Sequence, residues 1–283
     1  MEMGLSGGAG ADGGVGRGAL ADIPVEEMAV DWNPSLYSAF RGLRLRPALD
    51  LLAQVGPLPA GDVVDLGCGD GAASGALRAR FPDRRLVGVD ASPAMLGRAT
   101  GYDAKALADI ATWQPDTPPA LIFSNAALQW LGNHATLLPR LVALTAPGGT
   151  LAVQMPRNHF APSHALLRAV AGRMFPDRFP DTPYVPPVAA PADYWRILSP
   201  LGQVMIWETE YLQELGLAAP AHPVRRFTES TAMRPFLDRL TPNDGAAFAA
   251  AYDAALHDAY PLLPGGGALF PFRRLFLILQ RPA

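Results

Sequence analysis

The chain has 283 residues, 49% of them hydrophobic, and 23 Lys and Arg against 26 Asp and Glu give a net charge of −3. That length supports one large core, or a core with an appended lid, and mild acidity argues against DNA or RNA, which need a concentrated basic face. The single cysteine, Cys68, excludes an internal disulfide and a multi-cysteine metal site and fits a reducing, cytoplasmic setting.

Residues 1–30 are glycine-rich and read as a flexible tail, because so many glycines raise the entropy lost on ordering. They lack the basic start and compact apolar stretch of a secretion signal, and no apolar run reaches membrane-spanning length. Residues 31–283 read as a single domain. Asn33 before Pro34 predicts a helix cap, and Trp32, Leu36, Tyr37 and Phe40 share a helical face. A second helix is predicted at Arg46–Gln54.

An alternation follows. Strands are predicted at Val63–Leu66, Leu86–Val89, Ala106–Ala108, Leu121–Asn125 and Thr150–Gln154, with helices at Ala72–Arg80, Pro93–Arg98 and His134–Thr145. Such repetition with short turns implies an α/β fold with a parallel sheet, whose ligands lie beyond the carboxyl ends of the strands. Beyond Met155 the pattern changes. Helices are predicted at Ala165–Met174, Ala192–Leu201, Thr231–Leu240 and Pro242–Tyr260. A proline-rich span, Pro176–Pro191, is too stiff and donor-poor for a sheet interior and reads as a loop over the site. Val204–Leu212 and the closing run LFPFRRLFLILQ are predicted to pair antiparallel at one sheet edge. Cap or lid elements are thus expected at about 31–55 and 157–260.

Val63–Gly71 reads VVDLGCGDG, and LVGVD ends at Asp90. Gly67, Gly69 and Gly71 let the backbone turn sharply off a strand and leave room for a ligand, and an acid at the second strand tip can take both ribose hydroxyls. The spacing is D-x-G-x-G-x-G, not the dinucleotide G-x-G-x-x-G. Asp65 at the strand end would repel a phosphate and suits a cation. S-adenosyl-L-methionine carries a sulfonium, an ammonium and a ribose without phosphate, and is the cofactor these residues favour. Asp65 then accepts from the ammonium, directly or through water. Asn125 and Gln129 follow the fourth strand, where donor meets acceptor. Trp130 either walls that pocket or packs in the core.

The blocks WNPSLY (Trp32–Tyr37), DLGCG (Asp65–Gly69), SPAM (Ser92–Met95), LIFSNAALQWL (Leu121–Leu131), LAVQMP (Leu151–Pro156), TAMRP (Thr231–Pro235) and FPFRRLF (Phe270–Phe276) resemble the trans-aconitate methyltransferases. These belong to the class I S-adenosylmethionine-dependent enzymes, and the likeness covers nearly everything from Asp31 onward. It implies a Rossmann-like sheet, mostly parallel with an antiparallel edge strand, helices on both faces and an added helical lid. It implies transfer of a methyl group to one carboxylate of trans-aconitate, giving a monomethyl ester. It places Asp90 and Ala91 at the ribose and Asp109 and Ile110 at the adenine. Tyr37 either closes over the donor or packs.

The acceptor chemistry is electrostatic. A carboxylate of reference pKa near 4 is ionised at neutral pH and needs no general base, whereas a hydroxyl acceptor usually does. Asn125, Gln129 and Trp130 would therefore position rather than catalyse. The remaining carboxylates of a polycarboxylate need cations, and arginine offers two parallel charge-assisted bonds. Arg234, Arg273, Arg274 and Arg157 are the candidates, with His159, Tyr184 and Trp32 beside them; Arg44 and Arg46 serve either end or face solvent. Adjacent residues on a strand point oppositely, so at most one of Arg273 and Arg274 faces the pocket. His159 and His164 are poorly spaced for a shared metal, and no metal is expected. A monomer acting on a small polycarboxylate, with no nucleic-acid or membrane partner, is the expectation. The alternatives are another carboxylate, a secondary-metabolite hydroxyl, or a donor-binding protein without turnover.

Overall fold

The structure of the protein, a computed structural model, describes Met1, residues 41–180 and residues 184–283, with side chains in the first helix from Leu45 onward. Residues 2–30 of the tail, the helix beginning near Asn33 and residues 181–183 of the proline-rich span lie outside those residues. The first described helix, α1 (Arg41–Ala53), starts earlier than its apolar spacing predicts.

Five parallel strands follow in alternation with helices. They are β1 (Val63–Leu66), α2 (Ser74–Arg80), β2 (Leu86–Asp90), α3 (Pro93–Arg98), β3 (Ala104–Leu107), β4 (Leu121–Asn125), α4 (His134–Leu144) and β5 (Thr150–Pro156). A 3-10 turn, Leu128–Trp130, leads out of β4. The sheet is completed by β6 (Gln203–Leu215) and β7 (Ala268–Gln280), and its order is β3-β2-β1-β4-β5-β7-β6. β7 runs antiparallel to both β5 and β6. The predicted Ala106–Ala108 strand is displaced to Ala104–Leu107, because β2 sets its register through Val87↔Ala104 and Asp90↔Leu107.

Two apolar layers sandwich the sheet. Val63, Leu86, Leu121, Phe123, Ala152, Phe276 and Ile278 point to one face, where Leu51 and Leu52 of α1, Val55 just beyond it and Leu77 of α2 are buried. The alternate residues Val64, Leu66, Val89, Ile122, Val153 and Leu277 meet Leu138, Leu141 and Tyr194 on the other. Burial on both faces explains why these strands read as nearly continuous apolar runs.

The long antiparallel partners β6 and β7 have unequal halves. β5 pairs with β7 only from Arg274 to Gln280, while β6 follows β7 back to Ala268. The segment Ala268–Arg273 therefore continues past the carboxyl end of β5 as a two-stranded ribbon. A third apolar cluster packs on it: Phe270 and Phe272 meet Leu167 and Val170 of α5 (Pro162–Met174), Val224 and Phe227 of α7 (Pro223–Thr228), and Phe248, Tyr252 and Leu256 of α9 (Pro242–Ala259). A further helix, α6 (Pro191–Leu198), packs against α4.

The predicted helix Thr231–Leu240 is reduced to α8, the four residues Arg234–Leu237. Thr228 is the reason: its carbonyl accepts from both Thr231 and Met233 N–H, which closes a turn before the helix starts. α7 has no counterpart among the predicted helices. Its cap is a histidine ring, His222, accepting from Val224 N–H at 3.2 Å, with Pro223 in the first turn.

Candidate active site

The glycine turn joins β1 to α2 at the carboxyl end of the sheet. Gly67, Gly69 and Gly71 have φ of +79°, +56° and +87°, the left-handed region where a side chain is disfavoured. Gly67 and Cys68 N–H both donate to Val89 O, at 2.8 and 3.0 Å. Gly69 N–H donates to Asp90 Oδ2 at 2.8 Å, and Ser92 N–H donates to Asp90 Oδ1 at 2.8 Å. Asp90 thus ties the turn to the tip of β2, and each of its oxygens keeps a lone pair for a further donor. A Cβ on Gly67 would stand 2.3 Å from Ala127 Cβ and 3.3 Å from Ile110, whereas one on Gly69 would meet nothing within 4 Å. Ile110 therefore backs the turn. Asp109 accepts from Ala111 N–H through Oδ1 at 2.8 Å, and Ala91 is exposed beside Asp90.

Asp65 is buried at 2% exposure on β1, and no Lys or Arg among the described residues pairs with it. Its partner is Tyr102, whose hydroxyl donates to Asp65 Oδ2 at 2.6 Å. Burial pushes the Asp65 carboxyl up to about 7, with Asp90 adding to the rise and the Tyr102 bond opposing it. The sequence pointed to Asp65 but not to Tyr102. Only the parallel register Asp65↔Gly88, which seats the tyrosine ring over a glycine, brings them together.

A polar row crosses the same face of the sheet. Phe123 pairs with Asp65, Asn125 lies two residues beyond it, Gln154 pairs with Asn125, and Arg274 lies two residues from Phe276, the partner of Gln154. Period-two alternation sends Asp65, Asn125, Gln154 and Arg274 to one side. Arg274 is 3% exposed, donates from Nη1 to Gln154 Oε1 at 3.4 Å and lies over the Phe272 ring at 4.0 Å. Asn125 Oδ1, Gln154 Nε2 and Gln129 Oε1 are buried polar atoms without a hydrogen-bond partner among the described residues. Gln129 Nε2 braces the carbonyl of Ala126, a non-glycine residue at φ +55°. Trp130 is exposed at 43%. Near Arg274, Tyr211 donates to Asp50 Oδ2 at 2.6 Å, and the Arg46 guanidinium lies 5.7 Å from the Tyr211 ring centre.

Arg273 points the other way, exposed and paired with Glu210 at 3.2 Å. Arg157 pairs with Glu208 at 2.8 Å, and Arg234 with Asp238 at 2.8 Å on α8. The structure does not bring these three into the row. A separate group gathers where β5 passes into α5. The rings of His159 and His164 meet edge to face at 6.0 Å, and Arg168 lies 3.9 Å above the Tyr184 ring while donating to His159 O at 2.7 Å. Burial, with Arg168 nearby, lowers His159 to about 4 and His164 to about 3, so both are neutral. His159 Nε2 is buried without a partner among the described residues. Arg168, absent from the sequence candidates, makes no carboxylate pair among the described residues. Trp32, Tyr37 and the Arg44 side chain lie outside the described residues.

A methyltransferase domain model matches residues 37–233. The trans-aconitate 2-methyltransferase of Methylobacterium radiotolerans is 44% identical over 268 residues, covering 89% of this chain and 98% of the relative. The enzyme of that name from Escherichia coli O17:K52:H18 is 42% identical over 257 residues, covering 89% and 98%. The chain belongs to the trans-aconitate 2-methyltransferase family. Members of that family are S-adenosylmethionine-dependent methyltransferases, and so is this chain. Two solved structures share the fold. Haemonchus contortus phosphoethanolamine N-methyltransferase 2, in complex with S-adenosyl-L-methionine, aligns with a TM-score of 0.50 and 16% identity, over 84% of this chain and 53% of that one. The Bacillus YcgJ protein aligns with a TM-score of 0.51 and 13% identity, over 84% and 99%. Among the described residues of this trans-aconitate 2-methyltransferase relative, no group of three His, Cys, Asp or Glu side chains could hold a metal, and no helix is long and apolar enough to cross a membrane.

Proposed function

We propose that this chain esterifies one carboxylate of trans-aconitate, using S-adenosylmethionine as donor, at the polar row between Asp65 and Arg274. The donor end fits its ligand. A buried acid without a cation partner faces a turn that is open at Gly69, and Asp90 keeps acceptor capacity for the ribose hydroxyls. Asp109 and Ile110 border the adenine end. Bound donor supplies an electrophilic methyl: a carboxylate oxygen forms the new C–O bond as the C–S bond breaks, leaving S-adenosylhomocysteine and the monomethyl ester. No proton is transferred, so Asn125, Gln129 and Gln154 orient and exclude water rather than act as bases. Alignment alone can lower such a barrier by roughly 7–11 kcal/mol.

The observation that carries the acceptor assignment is Arg274: a buried guanidinium on the same sheet face as Asp65, beside amides with unspent bonding capacity. It would grip a non-reacting carboxylate; Arg168, in the separate group at the entrance to α5, is the next cation without a carboxylate pair among the described residues. Arg157, Arg234 and Arg273, held by Glu208, Asp238 and Glu210, rank behind them; His159 and Tyr184 would line the Arg168 side. We assign the chain a cytoplasmic, monomeric role.

The test is transfer of labelled methyl to a panel of di- and tricarboxylic acids, with mass spectrometry of the product. The expected result is one methyl ester on trans-aconitate and a kcat that is flat from about pH 6 to 9 at saturating substrates. Arg274→Ala is expected to raise the acceptor KM about ten- to hundredfold, the worth of one charge-assisted pair, with donor affinity unchanged. A preference for a hydroxyl compound, with a rate rising through a base pKa, overturns the assignment.

A further inference from the structure

We propose that Tyr102 is a positioning residue for the methyl donor: it holds one oxygen of Asp65 and so aims the other at the donor's ammonium. This rests on the donor-side assignment above, and it names a residue that neither the glycine motif nor the acidic strand tips reveal.

The geometry is built around the tyrosine ring. A Cβ on Gly88 would come within 3.0 Å of Tyr102 Cγ and Cδ2, and one on Gly71 within 3.3 Å of Cε2. Two glycines, one in β2 and one in the turn, therefore clear the seat. The loop that delivers the ring is pinned from both sides. Gly101 turns at φ +85° against Ser74 Oγ of α2. Asp103 N–H donates to Leu86 O at 2.9 Å, and its Oδ2 accepts from Leu86 N–H at 2.7 Å and from Arg78 at 2.6 Å. The ring thus arrives with its hydroxyl 2.6 Å from Asp65 Oδ2.

The bond has a consequence for charge. The titratable groups acting on Asp65 are Tyr102 from the α3–β3 loop, Asp90 from β2 and Cys68 from the turn. Arg78 of α2 turns away to Asp103. Burial and Asp90 both favour a neutral Asp65, and the Tyr102 hydroxyl is the group that favours the anion. An ammonium is held by the anion and not by the acid. Tyr102 therefore decides whether the carboxylate is ready for the donor at neutral pH.

The experiment measures donor binding by calorimetry without any acceptor, so a failed acceptor screen leaves it intact. Tyr102→Phe keeps the ring in its seat and removes the hydroxyl. Relative to the native chain, it is expected to bind donor about tenfold weaker near pH 6 and within about twofold near pH 8.5, since one unit of pKa is tenfold in ionised fraction. Comparing the two proteins at each pH cancels the donor's own amine titration. Binding of 5′-methylthioadenosine, which lacks the ammonium, is expected to be equal in both at every pH. An equal loss at both pH values, no loss, or a matching loss for methylthioadenosine overturns the proposal. If the phenylalanine variant does not fold, Asp65→Asn gives the answer: it must bind donor more weakly and lose the rise in affinity between about pH 6 and 8. Retention of that rise also overturns it.

Discussion

Gly67 and Gly69 have the same conformational need and different surroundings, and the difference is measurable. Both sit at positive φ, but only at Gly67 would a methyl group strike another β carbon, at 2.3 Å. Gly69→Ala is expected to cost about 1 kcal/mol, the strain of a left-handed alanine. Gly67→Ala adds the collision with Ala127 and is expected to cost about 2–4 kcal/mol in urea unfolding, with at least tenfold weaker donor binding. Equal losses for the two variants would contradict the packing described for the turn. The glycines, Asp65 and Asp90 were legible in the sequence because turn chemistry and strand tips are local. Tyr102 and Arg168 were not, because each acts on a residue brought near by the sheet register or by a helix entrance. Arg273 and Arg274 were separable in principle by strand parity, but only the pairing with β5 tells which of the two is buried.

The connection between α4 and α6 runs through one buried chain of hydrogen bonds. Ala189 N–H donates to Tyr194 Oη at 3.1 Å, Tyr194 Oη lies 2.6 Å from His134 Nδ1, and His134 Nε2 lies 2.8 Å from Leu128 O. A carbonyl can only accept, so Nε2 carries the proton and Nδ1 accepts from the tyrosine. Burial lowers the His134 pKa and keeps the ring neutral, as this order requires. The chain anchors the Leu128 carbonyl next to Gln129, so helix packing fixes the turn at the end of β4. Tyr194→Phe would leave a part-buried N–H and a buried ring nitrogen without partners. The expected loss is about 2–4 kcal/mol in urea unfolding; a loss below about 0.5 kcal/mol would show that the chain carries no load. At this scale the alternating strands and helices were readable from period and turn residues. The capping of α7 by a histidine and the shortening of α8 by the Thr228 turn were not, since neither uses a common signal.

Across the molecule, the pH dependence of stability is a contest between one acid and several histidines. Asp65 titrates at about 7 when folded against an ordinary 3.8. The folded state therefore binds the extra proton, and donor-free stability from this group falls as pH rises from about 4 through 7. His159 and His164 are lowered to about 4 and 3, so the unfolded chain binds their protons first, and stability falls as pH drops below 6.5. Two histidines outweigh one carboxyl, and net acid destabilisation is expected. Asp65→Asn removes the opposing group. It is expected to be more stable than the native chain by up to about 4 kcal/mol near pH 7.5, with the gap closing toward pH 4. A constant gap in thermal or urea unfolding across that range would place the origin of the effect elsewhere.

The strand order has a temporal consequence. β5 and β6 do not pair with each other; they are hydrogen-bonded to opposite sides of β7, which follows both of them and the whole of α9 in the chain. While the polypeptide is being made, the open side of β5 and the thirteen-residue β6 wait with bare amides and carbonyls until that late strand emerges. Such unpaired edges invite pairing between molecules. Newly made copies are therefore most vulnerable to clumping in the interval between β6 and β7, and Arg274, the arginine proposed to grip the acceptor, arrives with the strand that ends it.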